Sequence, residues 1–174
     1  MPVHDIFTPE QWSSFFILAG TGAVTLTGLV FVAMSLNPAG IATNATHRNR
    51  AINTLTGLAL VFMRCTLVLM GNQKHVAVGV ELLIVSAMSA AVFARGYAKA
   101  IRMSTDLRTR RIVEGSVIHL TEMAGATVFI SGYIAGLYIV AIAMVTNICY
   151  MITAAWLLVM GVNRWGTAQP DRPA

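Results

Sequence analysis

From Trp12 to Leu36 the chain carries no charged residue for 25 positions. At 1.5 Å per residue a helix of that length exceeds the roughly 30 Å hydrocarbon core of a bilayer. The pattern predicts a first membrane span over 12–36, after a polar lead of 1–11. Thr8, Pro9 and Gln11 have the chemistry of N-cap, N1 and N3 positions, and Phe7, Trp12, Phe15 and Phe16 suit the membrane interface. Asn37-Pro38 closes the run, because the residue before proline is pushed out of the helical region.

A polar loop over 37–50 follows, then a second apolar run over 51–70. Gly71 to His75 predicts a tight turn, and a third span covers 76–95 and continues as helix through Met103. Ser104, Thr105 or Asp106 can cap the next helix. Between Glu122 and Arg164 lie 41 residues with no formal charge. One helix of that length would run about 62 Å, twice a bilayer, so the run must break. Turn chemistry falls at Ser131 to Gly136, SGYIAG, which predicts spans over 112–133 and 137–162. Residues 166–174 read as a disordered tail. The expected fold class is therefore all-α, a polytopic bundle of five transmembrane helices.

Composition agrees with that pattern. Hydrophobic residues make up 56% of the 174 positions and charged ones 11%, with a mean hydropathy of +0.70. Soluble domains carry about a quarter charged residues, so a single membrane-embedded domain is expected. The net charge of +5 sits in breaks between apolar runs, not in an aromatic-interleaved groove. That excludes nucleic acid as the expected partner and favours anionic lipid headgroups. Cys65 and Cys149 both fall inside apolar runs, where cysteines act as small hydrophobes.

Charge also predicts orientation. The connector over 95–111 holds Arg95, Lys99, Arg102, Arg108, Arg110 and Arg111, half of the twelve lysines and arginines. Arg95, Lys99 and Arg102 share one helical face and can snorkel to headgroups. With five spans and the N-terminus outside, ten basic residues fall on the cytoplasmic side and only Lys74 on the other. A four-span chain would put Arg164 and Arg172 on the wrong side. Five spans, with a cytoplasmic C-terminus, follow.

Away from the span ends, three formal charges lie within spans: Arg64, Glu81 and Glu122. Each costs roughly 2.5–3.5 kcal/mol near the bilayer centre, while each Leu, Ile, Val or Phe returns about 0.3–0.6. The second span has nine such residues, together worth roughly 3–5 kcal/mol, so Arg64 cancels most of its drive to insert. Arg64 and Glu81 sit at matching depth on helices joined by a short turn, which predicts that they pair, with Glu122 as the alternative partner. His119, one turn before Glu122, and Asn147 complete the candidate polar cluster. Two readings apply: a charge pair that holds helices together, or a path for protons or ions. His119 and Glu122 also have a spacing used by metal ligands in helical bundles. The other histidines lie in loops, so no metal and no cofactor is expected.

Small residues mark expected helix contacts. Thr25-Leu26-Thr27-Gly28-Leu29 recurs as Thr54-Leu55-Thr56-Gly57-Leu58 on the next span. Chance in a small alphabet accounts for such an echo. So does close helix contact, in which Gly and Thr let backbones approach and cross-bond in lipid. With Gly20 and Gly22 nearby, the first span is expected to be a packing hub.

The stretch QWSSFFILAGTGAVTLTGLVFVAMSLN at 11–37, followed by RAINTLTGL at 50–58, resembles a family of small bacterial integral membrane proteins. Its members share an aromatic entry, a small-residue first helix and a closing S-L-N, and some are labelled modulators of a membrane-bound AAA protease. The resemblance implies a bacterial plasma membrane and transfers no catalytic residue. No nucleophile elbow, phosphate loop or HExxH occurs either, so no enzyme is expected. The functional expectation is an accessory or regulatory subunit that docks on another membrane protein or complex. A small ion or solute transporter using the intramembrane charges is the alternative, and homo-oligomerisation fits either.

Overall fold

A computed structural model describes residues 9–36, 38, 45–71, 73–100 and 106–166, with backbone alone at 9, 45–47, 97–100, 106–111, 114 and 157–166. The capping position Thr8, the connector residue Arg102 and the tail over 167–174 lie outside the described residues. The described chain is all-helical: α1 (Pro9–Leu36), α2 (Ala45–Leu69), α3 (His75–Ala100), α4 (Asp106–Ile130) and α5 (Ala135–Gly166). α2 starts six residues before the apolar run expected at 51, because Ala45 to Arg50 contains no helix breaker and continues the same helix outward.

Four helices have segments long and apolar enough to cross a membrane among the described residues: Glu10–Leu36, Arg48–Leu69, His75–Gly96 and Ala135–Trp156. In α4 the apolar part is shorter, Gly115–Ile130, because basic residues crowd its first turns. The outside of the bundle is apolar: Leu29, Phe31, Val32, Ile84, Val117, Leu120, Ile142 and Trp156 are all exposed. A surface of this kind suits a hydrocarbon environment, not water.

α2, α3, α4 and α5 form an antiparallel ring in which each helix packs on the next and α5 closes on α2, while α2 and α4 stand diagonal with their backbones apart. The buried positions recur at three- and four-residue steps on each helix. They include Ala51, Thr54, Leu58, Val61, Cys65 and Val68 on α2, and Leu137, Val140, Met144, Asn147 and Met151 on α5. That spacing is the seam of a four-helix bundle.

α1 lies outside the ring, against α2 and the start of α5. Phe16, Ala19, Ala23 and Val30 form its buried stripe, and the Trp12 ring meets Tyr138 edge-on at 4.7 Å. The hub expected of the first span is therefore not met; the ring is the centre and α1 is peripheral.

Between α4 and α5 the chain reverses at Ser131–Ile134. Gly132 takes φ +93°, and the amides of Gly132 and Tyr133 donate to the carbonyls of Phe129 and Val128 at 3.0 and 3.3 Å. That is a Schellman closure, which needs a residue that tolerates the left-handed region. Beyond it Gly136 lies so close to the Phe129 amide and the Gly125 carbonyl that no Cβ fits there.

Candidate functional site: two buried polar layers

Glycine contacts fix how the ring helices stand side by side. A Cβ on Gly96 would meet Asn53 Nδ2 at 2.9 Å, one on Gly57 would meet the Met151 Cε at 2.6 Å, and Gly115 lies under the Phe93 ring. Eleven residues on from Asn53 is Arg64, and eleven back from Gly96 is Val85. Seven back from Phe93 is Ser86, and seven on from Gly115 is Glu122. Seven on from Gly57 is Arg64 again, and seven back from Met151 is Met144. Arg64, Ser86, Glu122 and Met144 therefore share one level of the bundle. One turn away, Val61, Ser89, His119 and Asn147 share the next.

Both levels are buried. Arg64 and Glu122 are each 0% exposed, and Ser86, Ser89, His119 and Asn147 are buried too. Arg64 Nη2 donates to Glu122 Oε2 at 2.8 Å across the bundle axis. His119 Nδ1 lies 3.2 Å from the same oxygen, on the same face of α4 one turn earlier. Its ring meets Phe93 edge-on, with centroids 5.1 Å apart. One carboxylate oxygen thus serves a cation and an imidazole together.

Apolar layers close the polar ones on both sides. Toward the 71–74 turn stand Val68, Leu82, Ala126 and Val140, all buried. Toward the connector, Phe93 fills the space over Gly115 and Met151 the space over Gly57. Inside, Arg64 Nε and Nη1, Glu122 Oε1, Ser86 Oγ and Asn147 Nδ2 are buried with no hydrogen-bond partner. Leaving a buried polar atom unsatisfied costs about 1–3 kcal/mol, so five in one place mark a costly region.

The expected Arg64–Glu81 pair does not form. Glu81 is half-buried and accepts two hydrogen bonds from Gln73 Nε2, at 2.9 and 3.1 Å. Depth matches, but azimuth does not. Leu82 is the residue of α3 that points into the core, and Glu81 stands 100° around the helix from it. Gln73, Ser86, Ser89 and Phe93 went unnoticed in the sequence; the two serines, three apart in an apolar run, were the available signal.

Among the small residues, Gly20 lies against Cys65, where a Cβ would sit 3.1 Å from the cysteine Cβ, and Gly57 lies against Met151. Gly22 and Gly28 have nothing within reach, and Thr25 is exposed. The threonines also do not cross-bond. Thr25, Thr27 and Thr54 donate to Thr21, Ala23 and Arg50 carbonyls of their own helices, at 2.8–2.9 Å. Of the connector cations, Arg95 is exposed at the end of α3; the side chains of Lys99, Arg108, Arg110 and Arg111 lie outside the described residues. Among the described residues, no group of three or more His, Cys, Asp or Glu side chains is placed to hold a metal ion.

Fold and site together define a helical bundle with an apolar exterior and a charged, internally bonded core. Set against protein-family models, curated proteins and solved structures, the chain matches none.

Proposed function

We propose that this chain is a non-enzymatic accessory or regulatory subunit of a bacterial plasma membrane, docking on a helix of another membrane protein through the outer face of α1. One observation carries the reading. Among the described residues, the ring glycines Gly57, Gly79, Gly96, Gly115, Gly125 and Gly136 each have a neighbour where a Cβ would stand, and so does Gly20 on α1. Gly22 and Gly28 have open space instead, beside the exposed Thr21 and Thr25, whose flanks are Leu18, Leu29 and Val32. In lipid, small residues contribute by letting a second backbone approach, and the bundle itself leaves these unused. The resemblance of residues 11–37 and 50–58 to a family with some members labelled as protease modulators is in line with a regulatory role.

The chain would cross the membrane five times, with the N-terminus outside and the basic connector facing anionic headgroups of the cytoplasmic leaflet. The ten-to-one basic asymmetry supports that orientation. The position of α4 supports the fifth span, since it shares the ring with three helices that are each apolar enough to cross. At 25 residues α4 is about 37 Å long, of which Gly115–Ile130 is the apolar part.

Mild-detergent purification tests the reading. A stoichiometric foreign membrane protein should co-purify with the natural chain and be lost from Gly28→Leu, which folds normally because nothing lies against Gly28. A pure homo-oligomer that conducts ions or solutes in liposomes would overturn it. That result would favour the transporter reading, for which the buried Arg64, Glu122 and His119 are the supporting observation.

A further inference from the structure

The ring repeats itself. Arg64 on α2 and Glu122 on α4 stand 58 positions apart and share one level. The residue 58 on from Gly57 is Gly115, and the residue 58 on from Phe93 is Met151. Met151 of α5 fills the space over Gly57 of α2, and Phe93 of α3 fills the space over Gly115 of α4. A half-turn about the bundle axis therefore carries α2 onto α4 and α3 onto α5, and turns one glycine contact into the other.

α1 breaks the equivalence. It lies on α2 over Phe62 and Cys65, with Gly20 against both, and its start reaches Tyr138 of α5 through Trp12. The half-turn takes Phe62, Cys65 and Tyr138 to Leu120, Met123 and Val80. Among the described residues no helix outside the ring packs on α3 or α4. Exposure records the difference. Cys65 and Leu58 are each 1% exposed beneath α1, whereas their counterparts Met123 and Ser116 are half-buried and Leu120 is 64% exposed.

We propose that this second face, Val113, Ser116, Leu120, Met123 and Thr127 of α4 beside Val80 of α3, holds one apolar helix of a partner membrane protein, antiparallel to α4 as α1 is to α2. What covers it is told by α1, which occupies the equivalent face. The occupant's chemistry follows from the same contact. A Cβ on Gly20 would stand 3.1 Å from the Cys65 Cβ, so the partner helix needs glycine or alanine opposite Met123. Met123 is longer than cysteine but unbranched, and turns aside at little cost. A second copy of the chain does not supply this helix, because its α1 is already held on its own α2 by the buried stripe of Phe16, Ala19, Ala23 and Val30. The inference rests on the docking role proposed above, but uses the side of the ring opposite α1.

The test uses the full chain in phosphatidylcholine vesicles, with Met123→Cys and Cys149→Ala, and as probe a synthetic peptide of residues 9–36 carrying Gly20→Cys. Under a mild oxidant the probe should form a disulfide at position 123 several-fold faster than at position 142 of an Ile142→Cys, Cys149→Ala chain. Ile142 is exposed on α5 at the level of Met123, as the contact of Gly125 with Val140 shows. Adding Leu120→Trp, which fills the face from its exposed side, should abolish the cross-link without lowering Tm. No cross-link, equal rates at 123 and 142, or capture of the probe by Cys65, which would mean that it displaces α1, overturns the proposal. So does energy transfer between two labelled copies of the full chain that Leu120→Trp abolishes, since the occupant would then be a second copy. The readout needs no foreign protein, so its failure is separate from a failure of the docking face on α1.

Discussion

Arg64 and Glu122 meet across the axis of the bundle, Nη2 to Oε2 at 2.8 Å, although the backbones of the helices that carry them stay apart. Arginine's long stem crosses the interior from α2, so one ion pair ties together opposite members of the ring. Removing one partner of a buried pair leaves a bare charge and costs about 3–5 kcal/mol, while replacing both with apolar residues is often neutral. Glu122→Ala and Arg64→Ala should each sharply lower Tm and membrane abundance. The double change Arg64→Met with Glu122→Leu should restore most of both. If the double variant is no better than the singles, the pair is not what holds α2 to α4.

Glu81 supplies the contrast. Its partner is the neutral Gln73 and it is half-buried, so Glu81→Gln should change stability by less than about 1 kcal/mol. Thermal melts of Glu81→Gln and Glu122→Gln side by side check this. A larger loss from Glu81→Gln would mean that Glu81, not Glu122, balances Arg64.

Two glycine-to-alanine changes should differ widely. At Gly136 a Cβ would run into the Phe129 amide and the Gly125 carbonyl, and backbone cannot rotate away as a side chain can. Gly136→Ala should cost about 1–3 kcal/mol or more by forcing α4 and α5 apart. At Gly28 nothing lies within 4 Å, so Gly28→Ala should leave the isolated chain's Tm unchanged or raise it slightly. The pair of melts separates the interior face from the outer one.

The Trp12–Tyr138 contact is the clearest tie between α1 and α5. A double-mutant cycle with Trp12→Leu and Tyr138→Leu should return a coupling of about 0.5–1.5 kcal/mol, the usual worth of an edge-on aromatic pair. Additive losses would show that α1 is held by α2 alone.

A reporter fused at Gly166 should behave as cytoplasmic and one inserted at Gly71 as external. A periplasmic signal at Gly166 would leave the chain with an even number of crossings and place α4 on the membrane surface.

What the sequence determined by itself is local. Helix follows from uninterrupted apolar runs, reversal at Gly132 from the need for a residue that accepts positive φ, and the long run after Glu122 had to fold back because no bilayer is 62 Å thick. Burial of Arg64, Glu122, His119 and Asn147 could also be anticipated, since charge and amide do not face lipid. The partner of Arg64 could not. Sequence distance from a turn sets depth along a helix, and depth alone favoured Glu81 over Glu122. Direction around the helix changes by 100° with each residue, and only closure of the ring, α5 onto α2, decided which azimuth points inward. The same closure put α1 outside, so that of two glycines in one repeated motif Gly57 is pressed against Met151 while Gly28 faces away from every described neighbour.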